Sequence, residues 1–320
     1  VINMHAKLKS IWKSIDSVGL YIPGGNAIYP SSLIMNIVPA QIAGVKRIVC
    51  TTPPTKNFNP YIAFLLDELG INEVYQVGGA QAIAALTFGT KTIKPVNKIF
   101  GPGNAYVAAA KKQVFGKVGI DLIAGPSEII VVADETNNPD WVAADLMAQA
   151  EHDENAQSIL ITNSKVFGDK VLKKIQNLLN IVRKREIIDL SLKNNGLIIV
   201  MDDLKLSHKI INKIGPEHLH LQSSEKEFIL KKINNAGGIF LGNYSTEAFG
   251  DYVVGTNHIL PTSGAAKFSS GLGVIDFMKK NSLVQINKTS FAKLSKHVEN
   301  MADVENLDAH KLSVTIRQIK

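Results

Sequence analysis

From Val18 to Gly271, short runs of consecutive apolar residues alternate with longer amphipathic stretches. KRIVCTT reads as a strand and NPYIAFLLDELG as a helix. NEVYQVG (strand), GAQAIAALTFG (helix), KIFGPGN (strand and loop) and AYVAAAKKQVFG (helix) repeat the alternation. IDLIAGPSEIIVVADE closes the first half. NPDWVAADLMAQAEHD then opens a helix at Asn-Pro-Asp and leads into the strand SILITNS. LIIVMDD, EHLHLQ and GGIFLGN carry the pattern on. Strands alternating with helices of this length predict parallel βαβ units with helices packed on the sheet. After Gly271 the pattern turns to helical periodicity with many charges and little β character, which predicts a helical tail packed on another domain or another subunit.

At 320 residues, 45% hydrophobic and 20% charged, the chain fits a globular protein of two domains. No apolar run is long enough to span a bilayer. The opening VINMHAKLKSIWKSID is basic and loosely amphipathic without an apolar signal core, so a cytoplasmic location is expected. The net charge of +7 raises the question of nucleic acid. The lysines are scattered, however, and no basic run is interleaved with aromatics, so solvated faces are the better reading and no nucleic-acid partner is expected. The single Cys50 rules out an internal disulfide and any multi-cysteine metal site. A covalent role toward an aldehyde would need a nearby base, which RIVCTTPPT does not supply, so Cys50 reads as a buried strand residue.

Glycines recur where strands pass into loops or helices, in GLYIPGG, VGGAQAIAA and FGPGNAY. Such turns let backbone amides approach phosphate, although any one of them is as easily a plain turn. The G-x-G-x-x-G fingerprint is missing. The expected fold class is therefore α/β, with two Rossmann-like domains of parallel-type sheets lacking that fingerprint, plus the helical C-terminal tail. Its divisions are a leading segment 1–20, domains 21–128 and 129–271, and the tail 272–320. Gln149 and His152 lie three apart in a predicted helix and share a face, Asp251 opens the Gly-rich stretch FGDYVVGTNHILPTSG, and His310 lies near the C-terminus. Nitrogen and oxygen ligands without thiolate suit zinc or a similar divalent ion. Any long chain offers such sets, so spacing alone does not decide. Glu217 and His218 are adjacent, and sharing a site there requires a turn, because neighbours in extended chain face opposite ways.

The strings GLYIPGG, VGGAQAIAALTFGT, KIFGPGNAYV, IDLIAGPSEIIVVAD, GPEHLHLQ and GDYVVGTNHILPT, in this order, resemble the histidinol dehydrogenase family from about Ser17 to the C-terminus. The resemblance implies zinc-dependent, NAD-linked oxidation of L-histidinol to L-histidine through L-histidinal, the last step of histidine biosynthesis. It implies NAD contacts at Tyr21, Gln81 and Asn104, making 21–128 the NAD domain and 129–271 the zinc and substrate domain. It further implies one zinc per subunit on Gln149, His152, Asp251 and His310. His218 becomes the general base and Glu217 its helper in activating water. Substrate contacts fall to Ser127, Gln149, His152, His218, Asp251, His258, Glu305 and His310. A homodimer with a shared active site follows, with the tail and His310 crossing to the partner. Members of the family carry a longer segment before GLYIPGG, so an inactive truncated homologue is a rival expectation. A zinc hydrolase on the same scaffold, indifferent to NAD, is another. His220 is expected to be structural or exposed, and His5, His208 and His297 to face solvent.

Overall fold

The computed structural model describes residues 6–24 and 29–318, and His5 and Gly25 of the GLYIPGG string lie outside them. The chain divides into two compact units, Ile15–Phe277 and a terminal unit made from both chain ends. In the larger unit, the first sheet contains β2 (Ser17–Tyr21), β3 (Arg47–Thr51), β4 (Glu73–Tyr75), β5 (Lys98–Phe100) and β6 (Gly119–Ile120). Its helices are α1 (Pro30–Ile42), α2 (Pro60–Glu68), α3 (Gly79–Phe88) and α4 (Ala105–Val114). The second sheet contains β7 (Glu128–Val132), β8 (Gln157–Thr162), β9 (Leu197–Val200), β10 (His218–Leu221) and β11 (Gly238–Leu241). The helices α5 (Pro139–Ala150), α6 (Lys165–Leu178), α7 (Arg185–Asn195), α8 (Ser207–Ile214), α9 (Lys226–Leu230) and α10 (Glu247–Tyr252) accompany it.

All pairings within these two sheets are parallel, as the alternating pattern predicts. The strand orders are β4-β3-β2-β5-β6 and β9-β8-β7-β10-β11, so the two halves share one doubly wound topology. The sequence shows no repeat because the shared feature is connectivity, not residue identity. Ser17–Tyr21, which the sequence reading divides between the leading segment and the first domain, is the central strand of the first sheet.

The apolar runs are buried on both faces. Ile129 and Val131 pack with Val142, Leu146 and Phe167, while Ile130 and Val132 pack with Ile159, Leu219 and Ile211. Helix starts follow side-chain caps. Asn59, Asn104 and Asn138 each accept from the first-turn amides of α2, α4 and α5, and Pro60 and Pro139 occupy first helical positions. Cys50 is fully buried in β3, and burial pushes its thiol up to about 12, so it offers no thiolate at neutral pH.

In the terminal unit β1 (Lys7–Ser14) pairs antiparallel with β12 (Met278–Gln285), followed by α11 (Lys288–Val304) and α12 (Asp308–Thr315). The strand over Met278–Gln285 corrects the expectation of little β character after Gly271. MKKNSLVQ lacks alternation because nearly all of it is exposed. Its strand form comes from pairing with a segment some 270 residues away, from Lys7↔Gln285 to Ser14↔Met278. Among the described residues no helix is long and apolar enough to cross a membrane.

Asp134, just beyond β7, joins two strand exits of the second sheet. Its carboxylate accepts from Thr136 N (3.0 Å) and Oγ1 (2.5 Å), and from Ser224 N (2.7 Å) and Oγ (2.8 Å). Burial alone would raise its pKa, but these four hydrogen bonds together hold it below the ordinary value. An acid depressed on folding contributes stability above its unfolded pKa of about 3.9 and loses it as pH falls through the folded value. Guanidinium unfolding should therefore show Asp134→Asn costing stability at pH 7 and less below pH about 3.5. An equal cost at both pH values would contradict this role.

Candidate active site

The strand exits of the first sheet enclose a cleft of ≈ 560 Å³, lined by Tyr21, Pro53, Gly78, Gly79, Gln81 and Asn104 among others. Among the described residues no charged side chain lines it. α3 follows Gly78 without a side-chain cap, so apart from Gly79 N its first-turn amides have no side-chain partner among the described residues and suit an anionic ligand. Tyr21 Oη accepts from Gly79 N at 3.1 Å, locking the α3 entry to the end of β2. Asn104 spends its side-chain oxygen on the cap of α4, at 3.1 and 3.2 Å from Tyr106 N and Val107 N, which leaves its amide NH2 as the group able to donate elsewhere. The equivalent exits of the second sheet form a cavity of ≈ 370 Å³ lined by Asp134, Glu135, Thr136, Asn163, Ser164 and Ser224. Two carboxylates there disfavour phosphate, so of the two matching crevices only the first suits a dinucleotide.

A second constellation lies at the opposite, amino-terminal edge of the second sheet. Glu217 immediately precedes β10 and His218 is its first residue, while Ser127 immediately precedes β7. Glu217 is thus outside the strand, and the two neighbours share a site without a strand's alternation. Glu217 Oε2 accepts from Glu128 N at 3.2 Å, and the Ser127 hydroxyl also bonds its carboxylate. Burial outweighs both and pushes Glu217 up to about 8. Burial also takes His218 down to about 3, so its imidazole is neutral at physiological pH.

α5 delivers the next two groups. Its last helical residue is Ala150, so Gln149 sits in the final turn and His152 lies beyond the helix. This corrects the expectation of one shared helical face, since Gly-free MAQAEHD gives no stop signal. Gln149 Oε1 accepts from His218 Nδ1 at 2.9 Å, which places the proton on Nδ1 and leaves the Nε2 lone pair free. His152, Glu247 and Asp251 bring one ligand atom each to within 4.8 Å of one another. Asp251, which opens the Gly-rich stretch, lies near the end of α10. Gly250 serves close packing there, since a Cβ would lie 2.7 Å from the Phe240 ring. His258 Nδ1 is 3.2 Å from the Asp251 carbonyl oxygen and its Nε2 is 3.1 Å from Ser32 Oγ on α1.

Gln149 Nε2, His218 Nε2 and Glu247 Oε2 are buried without a hydrogen-bond partner among the described residues. Burial, with Asp251 and Glu217 nearby, drives the Glu247 pKa well above its ordinary value. Orphaned polar atoms beside crowded carboxylates fit a bound cation, which would favour their charged forms. Glu247 was not foreseen from the sequence. Its spacing from Asp251, four residues along one helix, is the signal that could have found it.

Glu305 and His310 belong to the terminal unit, at the end of α11 and in the first turn of α12, and both are exposed. His220 is buried and structural, with Nε2 2.9 Å from the Gly242 carbonyl oxygen and Nδ1 3.2 Å from Asp145. His297 is exposed, whereas His208 is half-buried, its Nδ1 2.6 Å from the Lys205 carbonyl oxygen.

A model of the histidinol dehydrogenase family matches residues 2–318. The chain belongs to the histidinol dehydrogenase family. It is 50% identical over 313 residues to a histidinol dehydrogenase of Rhodospirillum rubrum, covering 97% of this chain and 72% of the relative. Identity to a Brucella suis histidinol dehydrogenase is also 50%, over 98% of this chain and 73% of the relative. The crystal structure of histidinol dehydrogenase from Elizabethkingia anophelis superimposes with a TM-score of 0.95 at 41% identity, over 99% of this chain and 74% of that one. An acetylating aldehyde dehydrogenase from Geobacillus thermoglucosidasius shares the fold alone, with a TM-score of 0.58 at 13% identity. The histidinol dehydrogenase family thus shares its doubly wound scaffold with proteins of very different sequence.

Proposed function

We propose that this chain oxidises L-histidinol to L-histidine through L-histidinal, using two NAD in succession and one zinc ion per subunit. The observation that carries the reading is a neutral, buried imidazole with a free Nε2, held by Gln149 beside a three-residue cation cluster, in a chain of this family.

Zinc would be held by His152 and Asp251 with Gln149, joined by His310 from a second copy of the chain; Glu247 stands next to this set. When bound, the ion fixes the substrate's amine and ring nitrogen by its charge. The other steps fall to the protein. His218 Nε2 takes the alcohol proton as the substrate carbon loses hydride to NAD, leaving the aldehyde. Glu217, once ionised, draws a proton from water as the water oxygen bonds to the aldehyde carbon. Once His218 has released the first proton to solvent, the hydrate gives a second hydride to a second NAD and a second proton to His218 Nε2, leaving the carboxylate. Ser127 and Glu128 N orient the Glu217 carboxylate. His258 hydrogen-bonds near the reacting carbon, and Glu305 of the second copy offers a carboxylate to the substrate amine or ring nitrogen.

NAD would lie in the first-sheet cleft against the Tyr21 ring, with hydrogen bonds from the Gln81 and Asn104 amides. In this reading residues 21–128, with β2, form the NAD domain. Residues 129–271 form the zinc and substrate domain, and 272–320 reach the partner of a cytoplasmic homodimer. The test is the stoichiometry of NADH formed from L-histidinol, for which two per substrate is the expected result.

A further inference from the structure

The first-sheet cleft is shaped by a residue that takes no part in the chemistry. Gly101 follows β5 with a φ of +103°, and a Cβ there would lie 2.1 Å from the Tyr21 carbonyl oxygen. The exit of β5 therefore runs hard against the exit of β2, at the residue whose ring lines the cleft. Glycine permits this conformation but does not impose it, because it visits many others as readily.

What imposes it is an ion pair behind the loop. Gly101 N donates to Asp121 Oδ2 at 2.7 Å, and the Gly101 carbonyl oxygen accepts from Lys111 Nζ at 3.1 Å. Lys111 Nζ and Asp121 Oδ1 are in direct contact, and the two side chains are only 2% and 3% exposed. The N–H belongs to the peptide before Gly101 and the carbonyl to the peptide after it. Holding both fixes φ and ψ of that residue. Lys111 sits two turns into α4, and helical side chains lean toward the amino end, so its ammonium returns to the loop that leads to Asn104. Asp121 is tied to the same strand by its own N–H, which donates to the Ile99 carbonyl oxygen at 3.1 Å. Buried ion pairs are seldom worth more to a fold than an apolar pair of the same volume, so stability alone does not account for this one.

We propose that Lys111 and Asp121 are positioning residues for NAD. They clamp both peptide groups of Gly101, and so preset the direction in which Gly103 and Asn104 face the cleft. The proposal rests on the reading of that cleft as the NAD site.

The test is the double variant Lys111→Met/Asp121→Asn, which leaves no charge buried unpaired, whereas either single change leaves one. Calorimetric titration with NAD should show Kd raised about tenfold or more, since a preset loop is lost. KM for NAD should rise in parallel, while KM for L-histidinol, zinc content and melting temperature stay near the parent's. An NAD Kd within about twofold of the parent's, in a folded double variant, would overturn the clamp and leave the NAD site standing. Loss of zinc, or a matching rise in KM for L-histidinol, would also overturn it, by showing a general structural role. Failure of the parent itself to bind NAD overturns the cleft reading and the clamp with it. A single variant that does not fold changes nothing in these outcomes, because the charge-balanced double variant carries the measurement.

Discussion

Replacing His218 by alanine is expected to abolish NADH formation from L-histidinol while leaving the zinc content unchanged. Removal of a positioned general base costs typically about 10²–10⁴ in rate. This imidazole is suited to that role, since burial keeps it neutral and Gln149 holds the proton on Nδ1. Its Nε2 has no partner among the described residues. The His152, Glu247 and Asp251 cluster does not include it, so its loss should not empty the metal site. Steady-state rates with zinc analysis of the same preparation check both halves. Zinc lost together with activity would mean that His218 supports the metal rather than the proton transfer.

The complementary expectation concerns His152→Ala, which should lose the metal and, with it, turnover. His152 is exposed and lies beyond the end of α5, so the melting temperature of the metal-free protein should barely move. Loss of an outer partner of a metal ligand costs about 10–100-fold in metal affinity, and loss of a nitrogen ligand itself should cost more. Zinc analysis after dialysis measures this directly. Full retention of zinc would remove His152 from the ligand set.

Much of this architecture is legible in the sequence for physical reasons. IIVV (129–132) and ILI (159–161) are unbroken apolar because parallel strands are covered on both faces, and Asn-Pro pairs announce helix starts through caps that need no tertiary partner. Ser127, Gln149, His152, Glu217, His218, Asp251 and His258 could be named from motif text. Their convergence could not, because it depends on two strand starts and two helix ends meeting at one edge of the second sheet. Glu247 was hidden because the text around Asp251 shows a Gly-rich stretch rather than a helical face, whereas Gly250 serves a close helix–strand contact. β12 was hidden because its partner is at the other end of the chain. Lys111 reads as one more lysine on a basic helix, and only the fold reveals it as a buried donor to Gly101.

The most direct measurement is NADH formation from L-histidinol by the purified chain, before and after a chelator. Two NADH per substrate, lost on chelation and restored by zinc, is the expected result. NADH formation that persists undiminished through chelation, or stops at one per substrate, would contradict a zinc-assembled site carrying both oxidations.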